Sequence, residues 1–62
     1  MKVKFGEKTW TFEREFRVRD LLKELKLNPE EVIVIRNGDV VTEDEVVRVG
    51  DEVEIVRVIS GG

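Results

Sequence analysis

The sequence predicts an α+β domain in which a mixed sheet carries one helix packed across one face. Two observations lead there. The segments run strand, strand, helix, strand, strand, short turn, strand, and only one of them has a helical period. Strand-like segments also stand at both ends of the chain, on either side of that helix. The first and last strands can then lie side by side at the centre of the sheet, joined by a right-handed crossover through the helix.

Each element has its own warrant. Met1, Val3 and Phe5 alternate with Lys2 and Lys4, the pattern of a half-buried strand. Gly6-Glu7-Lys8 is a turn, and Trp10 and Phe12 alternate with Thr9, Thr11 and Glu13 to complete a hairpin. Val18, Leu21, Leu22 and Leu25 sit at i, i+3, i+4 and i+7, so they line one face of a helix over residues 18–27. Asp20 lies near its positive end and Lys26 near its negative end, as the helix dipole favours. Arg17 is a poor N-cap, and Asn28-Pro29 is expected to close the helix. Val32 to Ile35 is rich in β-branched residues and reads as a strand. Asn37-Gly38 is a strong hairpin signal, followed by a short strand at Val40-Val41. Thr42 stands three residues before Glu45, which resembles a capping box opening one helical turn. Gly50-Asp51 turns the chain into the last and longest strand, Glu52 to Ile59. The expected core is Val3, Phe5, Trp10, Phe12, Val18, Leu21, Leu22, Leu25, Val32, Val34, Val53 and Ile55.

Size and composition narrow the function. Sixty-two residues make one small domain. One core fits in it, but not a core plus a deep active-site cavity, which favours a binding or carrier module over a self-sufficient enzyme. Cysteine and histidine are absent. That removes disulfides, thiolate nucleophiles, the usual zinc sites and imidazole acid-base catalysis. Glu13 and Glu15 are too isolated to form an acid/base pair, and no converging carboxylates suggest a metal site. The net charge is −3, with basic residues scattered among acidic ones, so direct nucleic-acid binding is not expected. The N-terminus lacks the apolar segment of a signal peptide. Val32 to Ile35 is too short to span a bilayer, so the expected location is cytoplasmic. Charged residues make up 40% of the chain. That balance resembles proteins of thermophiles, and a well-solvated small domain would show it too.

The chain ends in Ser60-Gly61-Gly62, directly after the apolar run of the last strand. Residues 1–59 are read as the folded domain and residues 60–62 as a flexible tail. Glycine has no Cβ, so such a tail can thread a channel too narrow for other residues. Nothing branched crowds the carbonyl of Gly62 when a nucleophile approaches. Terminal glycines also occur by chance or as cloning remnants, so the tail gains meaning only from the domain that carries it.

At this point four segments resemble a known family. They are the helix Val18 to Leu27, the hairpin Val34-Ile35-Arg36-Asn37-Gly38-Asp39-Val40-Val41, the segment Val49 to Ile55, and the terminal Val58-Ile59-Ser60-Gly61-Gly62. Together and in order they resemble the β-grasp, ubiquitin-like sulfur carriers of the ThiS/MoaD type, with a length nearer to ThiS. Arg17 departs from that pattern, since a Ser or Thr usually precedes the helix. The resemblance implies a protein co-substrate with no cofactor of its own. An activating enzyme would adenylate Gly62 with ATP, and a sulfur donor would convert it to a thiocarboxylate. The sulfur would pass to a thiazole precursor, a pterin or a tRNA base, through a sulfur-accepting synthase or thiolase.

A second candidate site follows from alternation. If Val32, Val34, Val53 and Ile55 face the helix, then Ile33, Ile35, Val56 and Val58 face away. Arg57 would then point inward at the strand's end, where its head can reach solvent. An outward apolar patch near the tail reads as a partner interface, set against scattered surface aliphatics or a dimer contact. Trp10 reads as packing. Glu43, Asp44, Glu45, Asp51, Glu52 and Glu54 read as solvated loops and strand ends more than as a dedicated acidic surface. Three functions stand open: a sulfur carrier activated at Gly62, monomeric when free; a ubiquitin-like modifier joined to lysines through Gly62; and a non-covalent interaction module. A thiocarboxylate, isopeptide remnants on other proteins, or neither would separate them.

Overall fold

The computed structural model describes residues 1–58. Ile59 and the tail residues Ser60, Gly61 and Gly62 lie outside them. Seven strands and one α-helix follow in the order β1 (Lys2–Phe5), β2 (Lys8–Thr11), β3 (Phe16–Arg17), α1 (Val18–Glu24), β4 (Val32–Arg36), β5 (Asp39–Val41), β6 (Val46–Val47) and β7 (Glu52–Arg57). A 3₁₀ turn, Pro29–Glu31, leads into β4. Five strands form one mixed sheet in the order β2-β1-β7-β4-β5. β1 and β7 pair in parallel, with Val3 beside Val53 and Phe5 beside Ile55. The terminal strands thus meet in the middle of the sheet, as their positions on either side of the helix predict.

Both hairpins are closed by two residues. Gly6 opens the first, between the paired Phe5 and Lys8, at φ 61°. Lys8 belongs to the strand and not to the turn. Asn37 and Gly38 close the second at φ 50° and 90°, between the paired Arg36 and Asp39. Two successive positive φ values are what a type I′ turn demands, and Asn-Gly supplies them at low cost.

The helix departs from expectation at both ends. It stops at Glu24, with Leu25 as its C-cap, and does not reach residue 27. The stop is made by Lys26, which adopts the left-handed φ of 60°. The Leu27 N–H donates to the Leu22 carbonyl at 2.8 Å and the Lys26 N–H to the Lys23 carbonyl at 3.1 Å. This pair of bonds is a Schellman closure, usually built around glycine. Asn28-Pro29 therefore opens the next turn instead of ending the helix: the Asn28 side chain accepts from the Glu30 N–H at 2.9 Å. At the other end Arg17 offers no side-chain cap. The Val18 and Arg19 N–H groups instead donate to the carbonyls of Glu45 and Glu43, at 2.8 and 3.1 Å. A distant loop does the work that a serine or threonine would do locally.

That loop also corrects the reading of Thr42 to Glu45. The Glu45 side chain does accept from the Thr42 N–H at 2.9 Å, half of a capping box. No helix follows. The chain enters β6, which pairs antiparallel with β3 through Phe16–Val47 and Arg17–Val46. This small second sheet holds the loop against the start of the helix.

The core lies between α1 and the inner face of the large sheet. Val3, Val18, Leu21, Leu22, Val34, Val53 and Ile55 are buried as expected. Phe5, Trp10, Phe12, Leu25 and Val32 are only half-buried and pack around its rim. Met1, Phe16, Val41 and Val47 complete the core. Phe16 and Val47 come from the paired strands that the sequence pattern does not announce. Phe12 meets Phe16 edge to face, with ring centroids 5.1 Å apart.

Candidate functional site

β7 carries the site, because it is the central strand and leads directly toward the Gly-Gly tail. Its pleat sends Val53 and Ile55 into the core and Glu52, Glu54 and Val56 to the opposite face. β4 does the same, burying Val34 and exposing Ile33. The antiparallel register sets Ile33 opposite Val56 and Ile35 opposite Glu54. Ile33 is 40% exposed, Val56 41% and Val58 43%. Ile35 is half-buried. Ile33, Ile35 and Val56 thus occupy one side of the sheet, away from the helix, and Val58 is exposed just beyond the end of β7. Val58 is tied in place by its N–H, which donates to the Glu31 carbonyl at 2.8 Å.

Val40 extends the patch and was not named from the sequence. It pairs with Ile35 across β4 and β5 and is 70% exposed. The signal was available: Val41 must face inward opposite Val34, so its neighbour must face out. Three residues of strand are too few for that period to stand out.

Beside the patch the outer face is charged. β1 contributes Lys2 and Lys4, which stand in register with Glu52 and Glu54 of β7. β2 adds Thr11 and Thr9 at the edge. Arg57 follows the pleat to the inner side, where its guanidinium lies 5.6 Å from the centre of the Phe5 ring. Its charge stays exposed while the aromatic face gives it a partner.

The rim nearest the Asn37-Gly38 turn is fixed by a polar staple. The Asn37 side-chain amide donates to Asp51 at 3.0 Å, and its oxygen accepts from the Glu52 N–H at 2.9 Å. Asp51 also accepts from the Arg48 N–H at 2.8 Å. The Arg48 N–H first, and the Asn37 amide second, hold the Asp51 carboxyl below its ordinary range. Two other acidic loop residues, Asp44 and Glu45, are similarly engaged. Arg19 pairs with Asp44, and Arg36 reaches both Glu45 and the Val46 carbonyl. These carboxylates serve the loops around them, in line with the solvated-loop reading. Trp10 packs against the core. Among the described residues no helix is long and apolar enough to cross a membrane.

The fold and the sequence both have known relatives. The model of the family described as Small archaeal modifier protein 2 matches residues 1–59. The chain belongs to that family. Sulfur carrier protein TtuB of Thermus thermophilus is 42% identical to it over 45 residues, which is 73% of this chain and 69% of TtuB. An uncharacterized protein of Archaeoglobus fulgidus is 46% identical over 46 residues, 74% of this chain and 67% of that protein. In structure, the family member resembles the crystallised thiamine biosynthesis protein ThiS of Geobacter metallireducens. The TM-score is 0.70 at 30% identity, over the full length of both chains. The solution structure of a thiamine biosynthesis protein from the same organism gives 0.63 at 29% identity, covering all of this chain and 88% of that one. The ThiS-like β-grasp architecture expected from the sequence is borne out.

Proposed function

We propose that this family member is a sulfur carrier that acts as a co-substrate through its C-terminal carboxylate. What supports this is the conjunction of a ThiS-like fold over the whole chain with the sequence Ser60-Gly61-Gly62 after its central strand. In this reading a separate adenylating enzyme directs the Gly62 carboxylate onto the α-phosphorus of ATP. Pyrophosphate leaves and an acyl-adenylate remains. Sulfide-level sulfur (HS⁻) from a donor then attacks the acyl carbon, AMP departs as a good leaving group, and a thiocarboxylate remains. A sulfur-accepting synthase or thiolase receives the sulfur, with thiazole, pterin or tRNA chemistry as the candidate destinations. ATP, its metal and any catalytic base belong to the partner. The protein binds no cofactor itself and works in the cytoplasm as a monomer.

The face carrying Ile33, Ile35, Val56 and Val58 is the docking surface in this scheme. It spans β4 and β7, the strand whose sequence runs on into the tail. A partner seated on it receives Gly62 within a few residues of the contact.

Intact-protein mass tests the reading. With the adenylating enzyme of the same host, ATP and a sulfur donor, the wild type should exchange one oxygen for sulfur. Deleting Gly62 shifts the carboxylate by roughly 3.3–3.6 Å along an extended chain, and should abolish the exchange. Adding one residue after Gly62 should do the same without touching the fold. Equal conversion of the extended chain would rule out the exact terminus as the reacting site. Isopeptide remnants on host proteins, without a thiocarboxylate, would mean that the chain is a modifier.

A further inference from the structure

The outer face of the sheet is ordered across its strands. Thr9 and Thr11 line β2, Lys2 and Lys4 line β1, Glu52 and Glu54 line the first half of β7 with Val56 after them, and aliphatic residues line β4 and β5. The sequence of chemistries reads differently from left to right than from right to left. An open hollow of about 380 Å³ sits over the junction, bordered by Lys2, Lys4, Glu52, Glu54 and Ile35.

The four charges are available to a visitor. Lys2 faces Glu52 and Lys4 faces Glu54 on adjacent parallel strands, yet neither couple closes to an ion pair. Among the described residues the ion pairs are Arg19–Asp44 and Arg36–Glu45. All four side chains are exposed. Exposed charges of this kind add little to the stability of the free domain. When a partner excludes water from them, they discriminate strongly between matching and clashing charge.

We propose that these two rows form an orientation key for the docked protein, which must present a carboxylate over Lys2 and Lys4 of β1, a cation over Glu52 and Glu54 of β7, and apolar side chains over β4 and Val56. The inference rests on the sulfur-carrier reading, in which that protein is the adenylating enzyme. It adds what the partner's surface must look like and which way round the domain sits. Rotating the domain by half a turn on the partner sets lysine against cation and glutamate against carboxylate. Apolar contact alone would tolerate several seatings. The charge order selects the one that points β7, and the chain beyond it, at the partner's cleft.

A second copy of this chain does not satisfy the pattern. Two such faces packed with aligned strands can be related by a two-fold axis along the strands or across them. An axis across the strands sets β1 on β1 and opposes lysine to lysine. An axis along the strands can place lysine over glutamate, but the aliphatic β4 then falls on the threonines of β2. The complement is a different protein.

The test keeps composition constant and inverts the order. A quadruple exchange, Lys2→Glu, Lys4→Glu, Glu52→Lys and Glu54→Lys, preserves net charge and every opposite-charge neighbour on the sheet. The host's adenylating enzyme is titrated with the wild type, the exchange variant and Val56→Asp, at low and at high ionic strength. The exchange variant should keep its denaturation midpoint yet bind at least about tenfold more weakly at low salt. The gap should narrow at high salt, as screening removes the clash. Binding of the exchange variant equal to wild type overturns the orientation key. If Val56→Asp still weakens binding in that case, the docking surface stands without the key. If both variants bind like wild type, the docking surface falls as well. Should the quadruple exchange fail to fold, the pair Lys4→Glu and Glu54→Lys asks the same question at one row, with the same two outcomes.

Discussion

The two faces of the central sheet are made by alternate residues of the same strands, and they obey different rules. On the inner face Val3, Val34, Val53 and Ile55 are buried against Leu21 and Leu22 of the helix. On the outer face Ile33, Val40, Val56 and Val58 are at least 40% exposed. Among the described residues no helix covers them. Burial stabilises by roughly 25 cal/mol per Å² of apolar surface removed from water, so the inner aliphatics contribute to folding and the outer ones contribute little. A small domain that keeps aliphatic residues on an open face gains little from them until something covers it. The inner face accounts for the fold, and the outer face is the one that the proposed docking would cover.

Neighbouring positions of β7 give the hardest test of this division. Ile55→Asp places an unpaired carboxylate in the core, and should cost more than about 4 kcal/mol. That is comparable with the whole stability of a domain this size. A folded Ile55→Asp chain in circular dichroism would break the comparison. Leu22→Ala should cost about 2–5 kcal/mol, since it removes a fully buried side chain facing the sheet. Urea denaturation measures it. Val56→Asp, one residue from Ile55, should cost less than about 1 kcal/mol, mainly through poor strand propensity. A larger loss there would mean that the outer face is also core.

The smallest effect concerns the rim between the faces. Asp51 has its folded pKa depressed by the Arg48 N–H and the Asn37 amide. Its ionised form therefore favours the folded state. That contribution is fully present above the ordinary carboxylate value of 3.8 and is lost as pH falls through the lower, folded value. Asp51→Asn should flatten the acid limb of the stability profile below pH 3.8 and leave its shape near neutrality unchanged. A profile altered only above that value would mean that another group controls the staple.

Period was the readable signal, and its limits mark what was missed. Four- to six-residue strands and a seven-residue helix repeat often enough to show which side chains face inward, so the inner and outer sets of β4 and β7 were legible. Two-residue strands have no period, and β3 and β6 were invisible for that reason. Lys26 misled in a different way. Its left-handed conformation ends the helix, but nothing in a lysine announces it, whereas Pro29 four residues after Leu25 suggested a later stop. Thr42 and Glu45 made the side-chain bond that their spacing predicts, but the valines after them took the chain into a strand. The site was legible in part. Ile33, Ile35, Val56 and Val58 were placed by alternation and Val40 was not, while Ser60, Gly61 and Gly62 were legible only as chemistry.

The borrowed cap on the helix has a consequence for how the chain assembles. Seven residues are too few for a helix to persist alone in water, and this one also lacks a local cap. Its first two N–H groups find partners only in the carbonyls of Glu43 and Glu45, some 25 residues downstream. A helix this short with a distant cap is expected to form together with the loop that caps it. The expected transition state is rich in distant contacts, with φ-values at Val18 and Val47 similar to one another. Amide exchange at Val18 and Arg19 should follow the opening of β6 instead of the fraying of the helix, so a protein that tugs on the loop at 42–47 would loosen the helix from its far end.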